Sequence, residues 1–494
     1  MKTMAEKFKN PIKQDEIDKY LEEGKDFIRE EEMFRYLANT KSPEPQQIRD
    51  ILKKSLSIQT LLPEETVALM NVRDSELLAE MKATALKVKK KVYDNRIVTF
   101  APLYLGSFCV NNCAYCGLKS DNVDVPRRVL SMEEIKKEVV ALAGGIGHKR
   151  LVVVYGEHPK NDINYIIETI KTIYGVSTKT KHGTGNIRRV NVNAPPFSID
   201  DLRRLKDVGL GTYQVFQETY HKQTYAKVHP AKTIKGHYRW RLYCMHRAME
   251  AGVDDVGIGV LFGLYDWRFE VLGLLYHAIE LEEKLGIGPH TISFPRLEPA
   301  AHVELDQFAR YRVSDVDFKK IIMILRLSVP HAGLIITARE SEEMRREALA
   351  LGITQTDASS RIGIGAYSET GGEQHKEKQQ FLLGDTRSLD DVIREFAQKG
   401  YITSFCTAGY RCGRTGKCIM DLLRDGTEGK FCKLNAILTF REWLDDFASE
   451  ETKKVAEPVL AREMEEVKHK MPKLYPKLME YYGRIQKGER DLYL

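Results

Sequence analysis

Eight short runs rich in β-branched residues, each followed by an amphipathic helical stretch, recur along the middle of this 494-residue chain. They are "IVTFAPLYLGSF" (from 97), "RLVVVYGE" (150), "RRVNVNAPP" (188), "GTYQVFQET" (211), "DDVGIGVLF" (254), "HTISFPRL" (290), "GLIITARE" (333) and "ITQTDASS" (353). Strand and helix alternating eight times in series predict a closed parallel sheet wrapped by helices, an α/β fold of the (β/α)8, TIM-type barrel class. An open doubly wound sheet is the weaker alternative, since it calls for a glycine-rich phosphate turn after the first strand and none stands there. Residues 1–88 are charge-rich with helical apolar spacing, as in "IRDILKKSLSIQTLL", and read as an N-terminal helical extension. The barrel is expected over 89–375. Around residue 375 the pattern lapses into a polar connector, "GGEQHKEKQQF", and residues 376–494 read as a C-terminal helical appendage that carries four of the eight cysteines.

The formal net charge is +6 with both signs interspersed, a balance that does not argue for a nucleic-acid partner. The first residues lack the uninterrupted apolar core of a signal peptide, and no later run approaches the apolar length that spans a bilayer. A cytoplasmic location without a membrane partner is expected. Thiols stay reduced there, so clustered cysteines read as metal ligands or catalysts before disulfides.

"CVNNCAYCGLKS" places Cys109, Cys113 and Cys116 in the loop after the first strand, where barrels of this class carry their chemistry. A zinc site would need a fourth ligand, and no Cys or His stands at ligand spacing nearby. The spacing Cys-x3-Cys-x2-Cys has another use. Three thiolates hold three irons of a [4Fe-4S] cubane and leave the fourth iron open.

This loop, with Tyr115 as its aromatic residue, resembles the signature of radical S-adenosylmethionine (SAM) enzymes, whose open iron is chelated by the amino and carboxylate groups of the cofactor. The stretches "GTYQVFQETYH", "EAGVDDVGIGVLFGLYDWRFEVLGLLYHAIELE", "GIGPHTISFPR", "LGDTRSLDDVI" and "RTGKC...NAILTFREWL" are similar to the HydG-type [FeFe]-hydrogenase maturases, which are tyrosine lyases. That resemblance runs from about residue 90 to 445. It implies a radical SAM barrel, a [4Fe-4S] cluster, S-adenosylmethionine, and an electron donor such as ferredoxin or flavodoxin. It further implies cleavage of the Cα–Cβ bond of L-tyrosine to p-cresol and dehydroglycine, on the way to carbon monoxide and cyanide for hydrogenase maturation proteins. A dehydroglycine-producing lyase of another pathway, akin to the thiazole-synthesis enzyme, and a non-catalytic iron–sulfur or zinc scaffold are the alternatives.

The resemblance also distributes roles. Tyr104 is expected against the substrate amine, and Arg339, closing the seventh strand, is expected to grip the substrate carboxylate through two parallel hydrogen bonds. The family pattern there is Thr-Arg-Glu, and Ala338 departs from it while Arg339 and Glu340 match. Ser360 and Arg361, after the eighth strand, are expected as second contacts. Tyr115, Glu157 at the end of the second strand, and Glu218 and Arg239 around the fourth are expected beside the cofactor.

In the tail the family pattern Cys-x2-Cys-x22-Cys, which holds a second cluster, matches Cys406 and Cys432, but its middle cysteine is Gly409. Cys412 and Cys418 lie close enough in sequence to stand in, with His290 at the start of the sixth strand as a family-implied neighbour. A second iron–sulfur cluster, a lost cluster with spectator thiols, and another metal all stay open.

Overall fold

The β-branched runs are buried on both faces, as strands must be when side chains fill the barrel inside and helices cover it outside. The computed structural model describes residues 11–369, 379–413, 416–424 and 428–494. Eight parallel strands close on themselves: β1 (Arg96–Gly106), β2 (Arg150–Tyr155), β3 (Arg189–Asn193), β4 (Tyr213–Gln214), β5 (Val256–Gly259), β6 (Thr291–Ser293), β7 (Gly333–Ile336) and β8 (Gln355–Asp357). Closure is made where β8 pairs with β1, Thr356 opposite Thr99 and Asp357 opposite Phe100. Seven lie within the runs read from the sequence, and β1 starts one residue before its run, at Arg96. A ninth strand, β9 (Ile402–Ser404), pairs with the start of β1 at Arg96–Val98 and was not foreseen.

The β1–β2 register shifts between Tyr104 and Gly106. Such an irregularity bends a strand end and re-aims its side chains, and this one lies where β1 delivers the cysteine loop. Inside the barrel, Phe100, Val152 and Ile335 form an apolar floor beneath the C-terminal mouth. The lower end is polar: Arg150 donates to Gln355 (3.1 Å), and Arg189 pairs with Asp255 (3.1 Å) while donating to Asn191 and Thr212.

The N-terminal region is helical, with helices including Pro45–Leu56, Pro63–Asn71 and Ser75–Tyr93. It is fastened to the barrel's outer helix Asp315–Ser328 by the Ser55 hydroxyl on the Leu327 carbonyl (2.9 Å) and by Thr66 against Ser328 (2.9 Å). After the barrel, helix Leu389–Gln398 leads into β9, and helices Glu428–Asp446, Glu450–Lys470 and Tyr475–Gln486 finish the described chain. Among the described residues no helix is long and apolar enough to cross a membrane.

Candidate active site

The cysteine loop leaves β1 at Ser107 and is held by its own polar groups rather than by secondary structure. Arg127 donates to four of its carbonyls, those of Ser107 (2.6 Å), Leu118 (2.9 Å), Lys119 (2.6 Å) and Asn122 (3.0 Å). A planar guanidinium with five fixed donors suits that task better than any other side chain. The loop also packs against β2's end so closely that a Cβ on Gly156 would lie 2.3 Å from the Phe108 carbonyl. Asn111 bridges to the opposite rim, donating to the Glu157 carboxylate (2.5 Å) and accepting from the Lys235 amide (2.9 Å).

Cys109, Cys113 and Cys116 all face one cavity of about 220 Å³ at the barrel mouth. Burial pushes each thiol up, Cys113 to about 11. Among the described residues no three His, Cys, Asp or Glu side chains converge as ligands of one metal ion.

Across the cavity stands a compact charge group. Glu218, held at φ +71°, pairs with Lys235 (2.8 Å) and lies 3.6 Å from Arg241. Burial alone would push the Glu218 carboxyl up, but the two cations outweigh it and hold it below the ordinary carboxylate value. Glu157 has no cation in hydrogen-bond contact, and burial pushes it up. Arg339 enters from β7's end with its guanidinium 3.2 Å above the Phe381 ring, while the Asp357 carboxylate accepts from the Ala338 amide (2.7 Å). The segment around Gln380 roofs the cavity. Tyr104 donates to the Gln380 side chain (2.7 Å), whose amide nitrogen lies 3.6 Å from the Cys116 sulfur, and the Gln380 carbonyl accepts from the Gly117 amide (3.0 Å). A Cβ on Gly117 would lie under 3 Å from the Gln379 and Gln380 carbonyls, so glycine permits this closure.

Of the residues singled out from sequence, Tyr104, the three loop cysteines, Tyr115, Glu157, Glu218 and Arg339 line this cavity. The Tyr115 hydroxyl meets His229 (2.7 Å), so its ring rather than its hydroxyl faces inward space. Arg239 does not belong to the cavity: it pairs with Asp26 (3.4 Å) and donates to the Gly24 carbonyl in the N-terminal region. Arg241, two residues on, takes the inward position. Ser360 and Arg361 are also elsewhere. The chain turns outward at Ser359 (φ +50°), the Ser360 hydroxyl bonds Asp357 (2.5 Å), and Arg361 donates to the Ala366 carbonyl beside a separate outer cleft. Lys235, Arg241, Asn111, Asp357, Gln380 and Phe381 were missed. Asp357 stood at the end of a predicted strand and could have been found, whereas Gln380 lay in a stretch read only as connector.

His290 and the tail cysteines lie at the other end. His290 immediately precedes β6, its amide on the Val256 carbonyl (2.9 Å), near Asp255, Arg189 and Arg150; burial lowers its pKa. Cys406, Gly409 and Cys432 line one small cleft below β9, and Cys412 and Cys418 are exposed.

The Radical SAM superfamily model matches residues 103–272, and the Biotin and Thiamin Synthesis associated domain matches 293–402. The crystal structure of HydG, a maturase of the [FeFe]-hydrogenase, is 44% identical, covers 95% of this chain and 100% of that one, and superposes with a TM-score of 0.89. The HydG of Carboxydothermus hydrogenoformans is 34% identical, with 96% and 99% covered and a TM-score of 0.74. The 2-iminoacetate synthase of Salmonella typhimurium is 28% identical over 355 residues, 71% of this chain and 88% of that protein. The chain thus belongs to the HydG family of radical SAM enzymes, which work with a [4Fe-4S] cluster and S-adenosylmethionine.

Proposed function

We propose that this enzyme cleaves the Cα–Cβ bond of L-tyrosine to p-cresol and dehydroglycine in the mouth cavity. One observation carries the reading: the three loop thiols and the half-buried Arg339 line the same mouth cavity. The donor set fits the family's cofactors. Cys109, Cys113 and Cys116 line one cavity and would each hold one iron of a cubane. Glu157, Glu218, Lys235 and Arg241 offer the mixed charge needed by the amino, carboxylate and ribose groups of the cofactor. Bound there, cluster and cofactor supply a carbon-centred radical by reductive C–S cleavage, with an electron from a donor such as ferredoxin or flavodoxin.

The protein's share is positioning and exclusion of water. Arg339 presents a fork to the substrate carboxylate, kept planar against Phe381. Tyr104, steered by Gln380, stands where it can accept or orient the substrate amine. The floor of Phe100, Val152 and Ile335 gives the aromatic ring an apolar seat. Dehydroglycine and p-cresol together account for the carbon, nitrogen and oxygen of tyrosine, and the hydrogen atom that passes to deoxyadenosine is made up by a proton and a second electron from the same donor. The relatives named above for HydG and for 2-iminoacetate synthesis support the reading.

The test is anaerobic reconstitution followed by incubation with S-adenosylmethionine, dithionite and tyrosine. Cresol and deoxyadenosine should form together. Deoxyadenosine without cresol would point to another amino acid, and neither product would leave only a scaffold.

A further inference from the structure

We infer that this chain holds a single iron–sulfur cluster, because the cleft below β9, where the family pattern implies a second, offers two thiols and almost no room. The mouth cavity can be compared with the cleft that holds the two family-pattern cysteines. The mouth keeps about 220 Å³ open, whereas the cleft shared by Cys406, Gly409 and Cys432 has about 10 Å³. That is roughly the room one water molecule needs. Gly409 contributes no ligand atom. Cys406 stands two residues after β9 at φ +47°, near the Arg150 guanidinium.

The two nearby thiols are directed elsewhere. Cys412 is exposed, with its amide on the Ala408 and Gly409 carbonyls (3.1 and 3.2 Å) and its sulfur 4.0 Å from the Leu494 carbonyl. To reach the cleft it would have to unwind helix Ala408–Arg411, which bears Gly409. Cys418 is exposed on the following helix, Gly416–Arg424. The C-terminal residues hold this arrangement in place. Asn435 clasps Leu494 in both directions (2.8 Å each), and one terminal nitrogen of Arg411 donates to both carboxylate oxygens of Asp491 (2.7 and 2.8 Å) while the guanidinium stacks 4.0 Å over Tyr493.

A consequence follows for the reaction sequence, and it rests on the tyrosine cleavage proposed above. Without metal at the lower end, dehydroglycine leaves intact. Its C=N carbon is electrophilic, so the step that consumes it is nucleophilic addition. Water adds there to give glyoxylate and ammonia, one of each per imine, with no change in oxidation state.

The full chain, reconstituted anaerobically with iron and sulfide, should contain about four irons and four labile sulfides, the content of one cubane. A Cys406→Ala/Cys432→Ala variant should keep that content, and a Cys109→Ala/Cys113→Ala/Cys116→Ala variant should lose it. About eight irons in the parent, or a halving of iron in the Cys406/Cys432 variant, would overturn the inference. During tyrosine turnover glyoxylate should match cresol mole for mole, and iron-bound carbon monoxide at cresol's level would overturn it as well. Absence of cresol would sink the tyrosine reading alone, since the iron count does not depend on the substrate.

Discussion

Replacing Arg127 should release the cluster without touching a cysteine. Its guanidinium holds four carbonyls of the loop that carries Cys109, Cys113 and Cys116, at 2.6 to 3.0 Å. The site is partly exposed, so carbonyls freed by Arg127→Ala regain water, and each lost bond is worth the lower part of the usual range, about 0.7 kcal/mol. Four together cost the closed loop about 3 kcal/mol, which raises its open population roughly 100-fold. The assay is the rate at which a chelator strips iron from the reconstituted protein, followed by loss of the cluster's visible absorbance. When opening is fast relative to capture, that rate follows the open population, so it should rise by the same factor. Arg127→Lys keeps the charge but offers a single compact ammonium in place of the fork, and should fall between the two. Iron loss from Arg127→Ala at the parent's rate would refute the idea that this side chain secures the loop.

At the lower end, Glu442 is buried and receives Lys149 (2.7 Å) and both terminal nitrogens of Arg188. Burial would raise its pKa, but the two cations outweigh that and depress it well below the ordinary value. A depressed carboxyl stabilises the fold above the unfolded-state pKa of about 4.3 and withdraws that contribution as pH falls through the folded value. Thermal scans should therefore show stability falling as pH drops below about 4, and Glu442→Gln should flatten that fall while costing about 3–5 kcal/mol at neutral pH; an unchanged pH slope would count against the pair. Arg339→Lys should raise KM for tyrosine at least ~10-fold, about 1.4 kcal/mol, because a point charge replaces a fork; unchanged KM would remove Arg339 from the carboxylate. Gly117→Ala should push the Gln380 segment away and uncouple cofactor cleavage from cresol formation, visible as a higher deoxyadenosine-to-cresol ratio; an unaltered ratio would mean the roof has no part in coupling. Phenylalanine should be turned over far less than tyrosine, since a site that meets a phenol is left unpaired without it, and equal turnover would argue for another substrate.

The eight strands could be read because each is a short buried run bounded by helical periodicity, a signal carried within ten or so residues. The cysteine triplet was equally local. What could not be read is orientation. Arg239 and Arg241 stand on one short helix, Tyr238–Leu242, and two residues on a helix are about 200° apart, so one faces the barrel and the other the N-terminal region. Nothing in the sequence says which. Ser360 and Arg361 follow β8 as expected, but the turn at Ser359 sends them outward. Gln380 and Phe381 reach the mouth from a stretch more than 260 residues beyond the cysteines, and β9 has only three residues to announce itself. Gly409 was legible as a departure, but the closing of the cleft around it depends on Leu494 and Asn435, which only the folded chain brings together.

The stretch from Gln380 to Ser404 touches the cysteine loop at one end and lengthens the sheet beside Arg96 at the other. It works as a strap drawn along the outside of the barrel and buckled at both rims. Shortening the protein from its C-terminus is thus not a neutral operation: a cut that frees β9 slackens the roof over the mouth, and damage at the bottom is delivered to the top.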